Sequence, residues 1–292
     1  MLKALIKRNI KLFFKDKGMF LTSLITPVIL LVLYTTFLRN VYRDAFTASL
    51  PVALEIPEKL LNGLVGGQLV SSLLAVSCVT VAFCSNFLSV QDKATGTLKD
   101  LRIAPVKASV LSLGYYIASI VSTLLICLVT AAICLGYLAL TGWYLSVTDV
   151  LLLLLDVILV VLFGTALSSV INLFLSSQGQ ISAVGTMVSS GYGFVCGAYM
   201  PISSFSPGLQ KVISFLPGTY GTALMRNHAM QGALAEMGKL GVPVAELKES
   251  LDCTLYFFEK QVNIPAMYAV LALTIVALIA LYIFLNINKK SR

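Results

Sequence analysis

The sequence predicts an all-α membrane protein. It reads as six transmembrane helices, with an amphipathic interfacial helix at the N-terminus, a short charged helix on the inner side and a re-entrant helix on the outer side between spans five and six. Three observations predict this. First, 58% of the 292 residues are hydrophobic and 12% are charged, and the mean hydropathy is +0.91, which is more apolar surface than one soluble core could bury. Second, five apolar runs reach the length of about 20 residues that a helix needs to cross hydrocarbon. They are Gly18–Leu38, Leu64–Val90, Val110–Leu140, Val150–Leu175 and Ile264–Leu285. Third, the remaining charge is gathered into islands between these runs. A sixth run, Ile181–Pro201, is rich in Gly and Ser but long enough, and six spans put both termini on one side.

The distribution of lysine and arginine gives the orientation. With both termini inside, the inner segments hold 13 of the 21 cations, opposed only by Asp16, Asp92 and Asp100. The outer segments are balanced. The net charge of +8 is therefore an orientation signal and not a footprint for nucleic acid. These features predict a multi-pass protein of the plasma membrane with cytoplasmic termini.

Residues 1–16 read as the interfacial helix. Lys3, Lys7, Lys11 and Lys15 recur at every fourth position, among Leu2, Leu5, Ile6, Ile10, Phe13 and Phe14. Such a helix suits anionic headgroups on the inner face, and serves either to anchor span one or to contact a partner. The first apolar run is too long for a cleavable signal. Of the six cysteines, five fall within spans and only Cys253 lies in an outer segment. A Cys196–Cys253 bridge and two free thiols both stand open. The single histidine, His228, reads as an ordinary interfacial residue, and no metal-ligand pattern accompanies it.

The links between spans differ in length. Arg39–Asn62 is a short outer loop with Pro51 and Pro57, and Gly142–Asp149 is a tight turn carrying the only tryptophan, Trp143. Ser176–Gln180 is only a turn. Residues 202–263 are too many for a turn and not polar throughout. Within them Pro207 opens a short helix that Pro217-Gly218 stops, which reads as a re-entrant piece, and Glu236–Lys260 reads as a charged outer cap. Gly63 with Gly67, and Gly193 with Gly197, have the four-residue spacing that lets membrane helices approach closely.

Several chemistries are excluded. There is no Gly-x-x-x-x-Gly-Lys-Ser/Thr loop to cradle phosphates, no His-Glu-x-x-His, and no Gly-x-Ser-x-Gly elbow. The intramembrane acid Asp156 has no facing Lys or Arg, and reads more readily as bonded within the bundle than as part of an ion path.

The island Gln91–Val106, between spans two and three, carries the most specific signal. Thr97 with Asp100 approaches a capping box. Leu98 and Leu101, joined by Ile103, form an apolar face, while Lys99, Asp100 and Arg102 point to water. Pro105 forces the stop, because Ala104 is biased away from helix. A rigid, charged, amphipathic stub of about two turns suits docking against another protein better than a plain connection would.

The order Asp92-Lys93-x-x-Gly96-Thr97-Leu98-x-x-Leu101-x-x-x-Pro105-Val106 resembles the coupling loop of type-2 ABC exporter permeases, of the drug and multidrug exporter kind. Further matches are Gly197-Ala198-Tyr199-Met200-Pro201-Ile202, Pro207-x-Leu209-Gln210, Pro217-x-x-Tyr220 and Arg226, and the basic start with Lys15-Asp16-Lys17 and Pro27. The usual Glu at the loop start is replaced by Gln91-Asp92. The resemblance implies a membrane half that pairs with a second copy or a sister permease and with two copies of a separate ABC ATPase subunit. ATP and Mg would be held by the ATPase, and this chain would bind no cofactor or metal and catalyse nothing itself. Asp92, Gly96, Thr97, Leu98, Asp100, Leu101, Arg102 and Pro105 would couple to the ATPase. Phe83, Asn86, Phe87, Thr186, Ser189 and Tyr192 would wall the substrate path. Pro201, Pro207, Leu209, Pro217 and Tyr220 would form the outer gate. The implied cargo is a drug, peptide, lipid or similar amphipathic molecule. Two rivals are weaker: an ion-coupled secondary transporter would rest on Asp156 alone, and an intramembrane lipid enzyme would need clustered polar residues that the sequence lacks.

Overall fold

A break at Asp16 sets the start of the molecule. In the computed structural model, α1 (Leu2–Lys15) ends there, and the Asp16 carboxylate accepts from the backbone N–H of Met19 at 3.1 Å, capping α2 (Lys17–Leu33). The model describes residues 1–49, 56–103, 106–258 and 260–288. The expected features at Pro51, Glu55, Ala104, Pro105, Glu259, Lys289, Lys290 and Arg292 lie outside the described residues.

Span one is longer than its apolar run suggests. Helix continues from α2 through a π-turn at Tyr34–Leu38 into α3 (Arg39–Ser49), where the sequence suggested a loop from Arg39. α4 (Glu58–Ala94) likewise starts before its apolar run and carries helix past Gln91. After α5 (Thr97–Ile103) come α6 (Ala108–Thr141), α7 (Val147–Asn172) and α8 (Gln178–Val195). Reciprocal capping boxes, Ser146 with Asp149 and Ser177 with Gln180, start α7 and α8 sharply after their short links.

The chain then forms α9 (Pro207–Ser214), α10 (Pro217–Lys239), α11 (Val244–Ser250), a hairpin of β1 (Leu255–Phe257) and β2 (Lys260–Val262), and finally α12 (Ile264–Asn288). The hairpin is antiparallel, with Leu255 opposite Val262 and Phe257 opposite Lys260.

The chain is an all-α, multi-pass membrane protein. Among the described residues, five helices are long and apolar enough to cross a membrane: Lys17–Asp44, α4, Ser109–Thr141 within α6, α7, and Ile264–Asn286 within α12. α8, the expected fifth span, has 18 residues and is not among them. α4 is the axle of the bundle. It packs against α2, α6, α7, α8 and α10, and nearly every residue from Leu60 to Val90 is buried. Close approach is built in at Gly67, where a Cβ would come within 2.7 Å of the Ala229 carbonyl of α10. Gly193 serves a different purpose from the expected helix contact, because its missing side chain makes room for the ring of Tyr199.

The main departure from expectation is α10. Where the sequence suggested that helix stops at Pro217-Gly218, those residues begin a helix of 23 residues. Gly218 through Met230 are all buried, against α4, α7 and α12. Proline at the first helical position starts a helix as readily as it ends the preceding one.

Candidate functional site: the charged stub and the buried polar braces

Gly96 makes the turn that launches the stub. Its φ of +85° lies in the left-handed region that favours glycine. Its carbonyl accepts from the backbone N–H of Lys99 at 2.8 Å and of Asp100 at 3.4 Å, so Gly96 occupies the cap position expected for Thr97. The Thr97 hydroxyl instead lies 3.0 Å from that of Thr95. With the turn made at Gly96, α5 begins one residue early, at Thr97.

The apolar face of α5 is as the spacing predicts in two of three positions. Leu98 and Leu101 pack on a cluster of Leu88, Leu111 and Tyr115, together with Leu5 and Met19. α5 is thereby seated on α4 and α6. Ile103 does not join them and is 84% exposed. Lys99 and Asp100 are exposed as expected, and Arg102 lies in the same helix.

Asp92 faces the protein and not water. Its Oδ2 accepts from Arg8 Nη1 at 2.9 Å and from Tyr115 Oη at 2.5 Å, tying α1, α4 and α6 together. Partial burial pulls the Arg8 guanidinium down, but Asp92 more than offsets it, and the group ends above its ordinary value. One residue on, Lys93 Nζ donates to the carbonyl of Asn172 at 2.8 Å and of Leu175 at 3.4 Å. A cation on the last carbonyls of α7 satisfies acceptors that have no partner within the helix. The root of the stub is therefore fastened both to α1 and to the α7–α8 turn.

The residues expected along a substrate path fall into two groups. Phe83, Asn86 and Phe87 are buried within the single chain. Asn86 Nδ2 donates to the hydroxyls of Ser168 at 3.0 Å and Ser169 at 2.6 Å, a tie between α4 and α7. On α8, Thr186 and Ser190 are exposed and Ser189 is half-buried, while Ser182 and Met187 are exposed beside them. Their hydroxyls are spent on their own helix: Thr186 on Ser182, Ser190 on Thr186 and Ser189 on Gly185. The Tyr192 hydroxyl is buried without a hydrogen-bond partner.

At the opposite end, the expected gate residues are spread from Pro201 through α9 to the start of α10, and Pro217 and Tyr220 stand at the α9–α10 joint. Pro207 opens α9, Leu209 is exposed on it, and Pro217 opens α10. Tyr220 Oη donates to the Ser214 carbonyl at 2.5 Å and braces the joint. Pro201 precedes the 3₁₀ turn Ile202–Ser204 that leads into α9.

Two buried braces were missed in the sequence. Arg226, 1% exposed, donates through Nη1 to Asp252 Oδ2 at 3.1 Å, and through Nη2 to the Gly197 carbonyl and to Ser72 Oγ. Asp252 also accepts from the backbone N–H of Ile202 at 2.9 Å. Burial lifts the Asp252 carboxyl above its ordinary value, and Arg226 holds the shift back. One cationic fork thus joins α4, the turn after α8 and the outer cap. Next to it, burial pushes the Cys253 thiol up to about 12. Cys253 and Cys196 are both free.

The second brace corrects the reading of His228 and agrees with that of Asp156 as a residue bonded within the bundle. His228 Nδ1 and Asp156 Oδ2 lie 2.6 Å apart, and Tyr268 Oη donates to Asp156 Oδ1 at 2.7 Å. His228 is buried and no ordinary interfacial residue, and Asp156 is bonded on both oxygens. Their separation in sequence, 72 residues, hid the pairing; a polar residue in each of two buried helices was the only sign. Among the described residues no cluster of His, Cys, Asp or Glu could hold a metal ion.

No curated protein matches the chain. A family model described as ABC-2 type transporter matches residues 1–229, a stretch that runs from α1 through the stub and most of α10. With a stub seated on a multi-pass bundle within that match, the chain belongs to the ABC-2 type transporter family as a membrane permease.

Proposed function

We propose that this permease forms half of an export pathway and is driven by separate ABC ATPase subunits, two to a complex, which bind ATP and Mg. The observation that carries the reading is the two-sided character of α5. Its back, Leu98 and Leu101, is fixed on α4 and α6, while Lys99, Asp100 and Ile103 stand in water. A rigid lever with an apolar tip and paired charges is what an ATPase groove can grip and push. Arg102 adds a cation to the same helix, and Pro105 would end it. Asp92 and Lys93 act behind the lever, carrying its motion to α1 and to the α7–α8 turn.

The second half of the pathway would be another copy of the chain or a sister permease. The small and polar residues that α8 leaves exposed, Ser182, Thr186 and Ser190, suit such a contact or a polar path better than lipid. Substrate would pass along α8 and leave past the stretch from Pro201 to the start of α10, where Pro201, Pro207, Leu209, Pro217 and Tyr220 stand as the gate. The cargo is a drug, peptide, lipid or similar amphipathic molecule, and the termini lie in the cytoplasm beneath the plasma membrane.

The test is charge reversal on the lever. Asp100→Lys and Arg102→Glu should abolish permease-dependent stimulation of the ATPase while the chain still inserts and folds. Stimulation of hydrolysis by both variants at the parent rate would show that the stub does not couple.

A further inference from the structure

Three phenylalanines from two elements meet on the surface beside the β-hairpin. Phe215 directly follows α9, Phe257 ends β1, and Phe258 stands in the hairpin turn. Their ring centroids are 5.1 Å (Phe215–Phe257), 5.9 Å (Phe215–Phe258) and 5.0 Å (Phe257–Phe258) apart, all edge to face. Aromatic groups in this favourable geometry are ordinarily covered, yet Phe215 is 61% and Phe258 56% exposed. Phe258 is held with φ +54°, a conformation that a residue with a side chain rarely adopts. Leu209 and Val212 extend the apolar surface along α9, while Ile213 on its other side is buried in the protein. The result is a fixed apolar wedge facing away from the bundle.

What covers it follows from its neighbours. β2 ends at Val262 and α12 begins at Ile264, so only Asn263 separates the hairpin from a membrane helix. α12 is the least covered of the five candidate spans, with 11% of its most apolar stretch buried. At about 3.3 Å per extended residue, Phe258 lies within about 20 Å of Ile264, in reach of a bilayer interface at that end of α12, where aromatic side chains gather. Lys211 and Lys260 flank the trio, Lys260 lying opposite Phe257 in the hairpin register, and both are exposed. Phosphate headgroups complement such a pair. A second copy packed on this face about a two-fold axis would bring like charges together.

We infer that Phe215, Phe257 and Phe258 insert as a wedge into the bilayer leaflet at the Ile264 end of α12, with Lys211 and Lys260 on lipid phosphates. This anchors α9, and with it the α9–α10 joint, to the lipid surface. The inference needs the membrane setting but not the ATPase reading, so the two can fail separately. The wedge offers the joint a means of sensing leaflet packing.

The test uses the full chain with Trp143→Phe and Phe258→Trp, which leaves one tryptophan, reconstituted in vesicles of phosphatidylcholine and phosphatidylglycerol. Lipid brominated near the top of its acyl chains should remove most of the emission. Adding Lys211→Glu and Lys260→Glu should shift the emission to the red. Quenching by aqueous iodide but not by brominated lipid would place the residue in water and overturn the inference. Protection from both quenchers would mean that protein covers the wedge, and would overturn it equally.

Discussion

Asp156 of α7 and His228 of α10 lie 2.6 Å apart inside the bundle, and Tyr268 of α12 takes the second carboxylate oxygen at 2.7 Å. The three helices are joined at one point. With both oxygens engaged, the acid works as a brace. Asp156→Ala should destabilise the protein by about 1–3 kcal/mol, since it leaves the buried His228 and the half-buried Tyr268 without their partner. The Asp156→Ala, His228→Ala pair should cost less than the sum of the single changes, with a coupling of about 0.5–3 kcal/mol. Unfolding in detergent, followed through a double-mutant cycle, checks both.

The Arg226–Asp252 pair is the more demanding brace. Asp252→Asn or Arg226→Gln should each cost about 3–5 kcal/mol, because each leaves a charge buried without its partner. A joint replacement by apolar residues of similar volume should cost less than either. Thermal unfolding of the three variants measures the order, and equal losses in all three would remove the pair from the account.

At the other end, Arg8→Gln or Asp92→Asn should loosen α1 from its seat on α4 and α6. A hydrogen bond to a charged group contributes about 1.5–3 kcal/mol. Hydrogen exchange should therefore quicken in residues 2–15 while the core of α4 stays protected. Uniform exchange across the chain would contradict a local role.

Much of this arrangement was legible in the sequence, and the exceptions share a cause. The apolar runs and the stub with Leu98 and Leu101 inward depend on neighbours within a few residues. α10 was hidden because small and polar residues dilute its buried apolar ones, among them Leu224, Met225, Met230 and Leu234. Gly218, Gly221, Thr222, Ala223, Ala229 and Ala233 are small, so the helix packs by close approach and gives no hydropathy signal. Its polar residues, Arg226, Asn227 and His228, find partners that only the fold supplies. Asp92 sits in a charged island and yet turns inward, because Arg8 and Tyr115 arrive from 84 residues upstream and 23 downstream. Ile103 misses the shared apolar face because α5 ends with it, and none of the described residues covers it.

Cys253 is open to a chemical check. With its thiol pushed up to about 12 by burial, the thiolate fraction at pH 8 is about one in ten thousand. Alkylation by a water-soluble maleimide at that pH should be far slower in the folded protein than after denaturation. Rapid labelling of the folded chain at Cys253 would contradict the burial of the outer cap.

The central claim is that α5 is gripped by an ATPase. A photoreactive amino acid placed at Asp100, in the full chain in its native membranes, tests it most directly. The account predicts an ultraviolet-dependent adduct with a soluble chain that carries a Gly-x-x-x-x-Gly-Lys-Ser/Thr phosphate loop, and no such adduct from the same probe at the far end, at Trp143. Adducts confined to lipid, or to proteins without a phosphate loop, would contradict it.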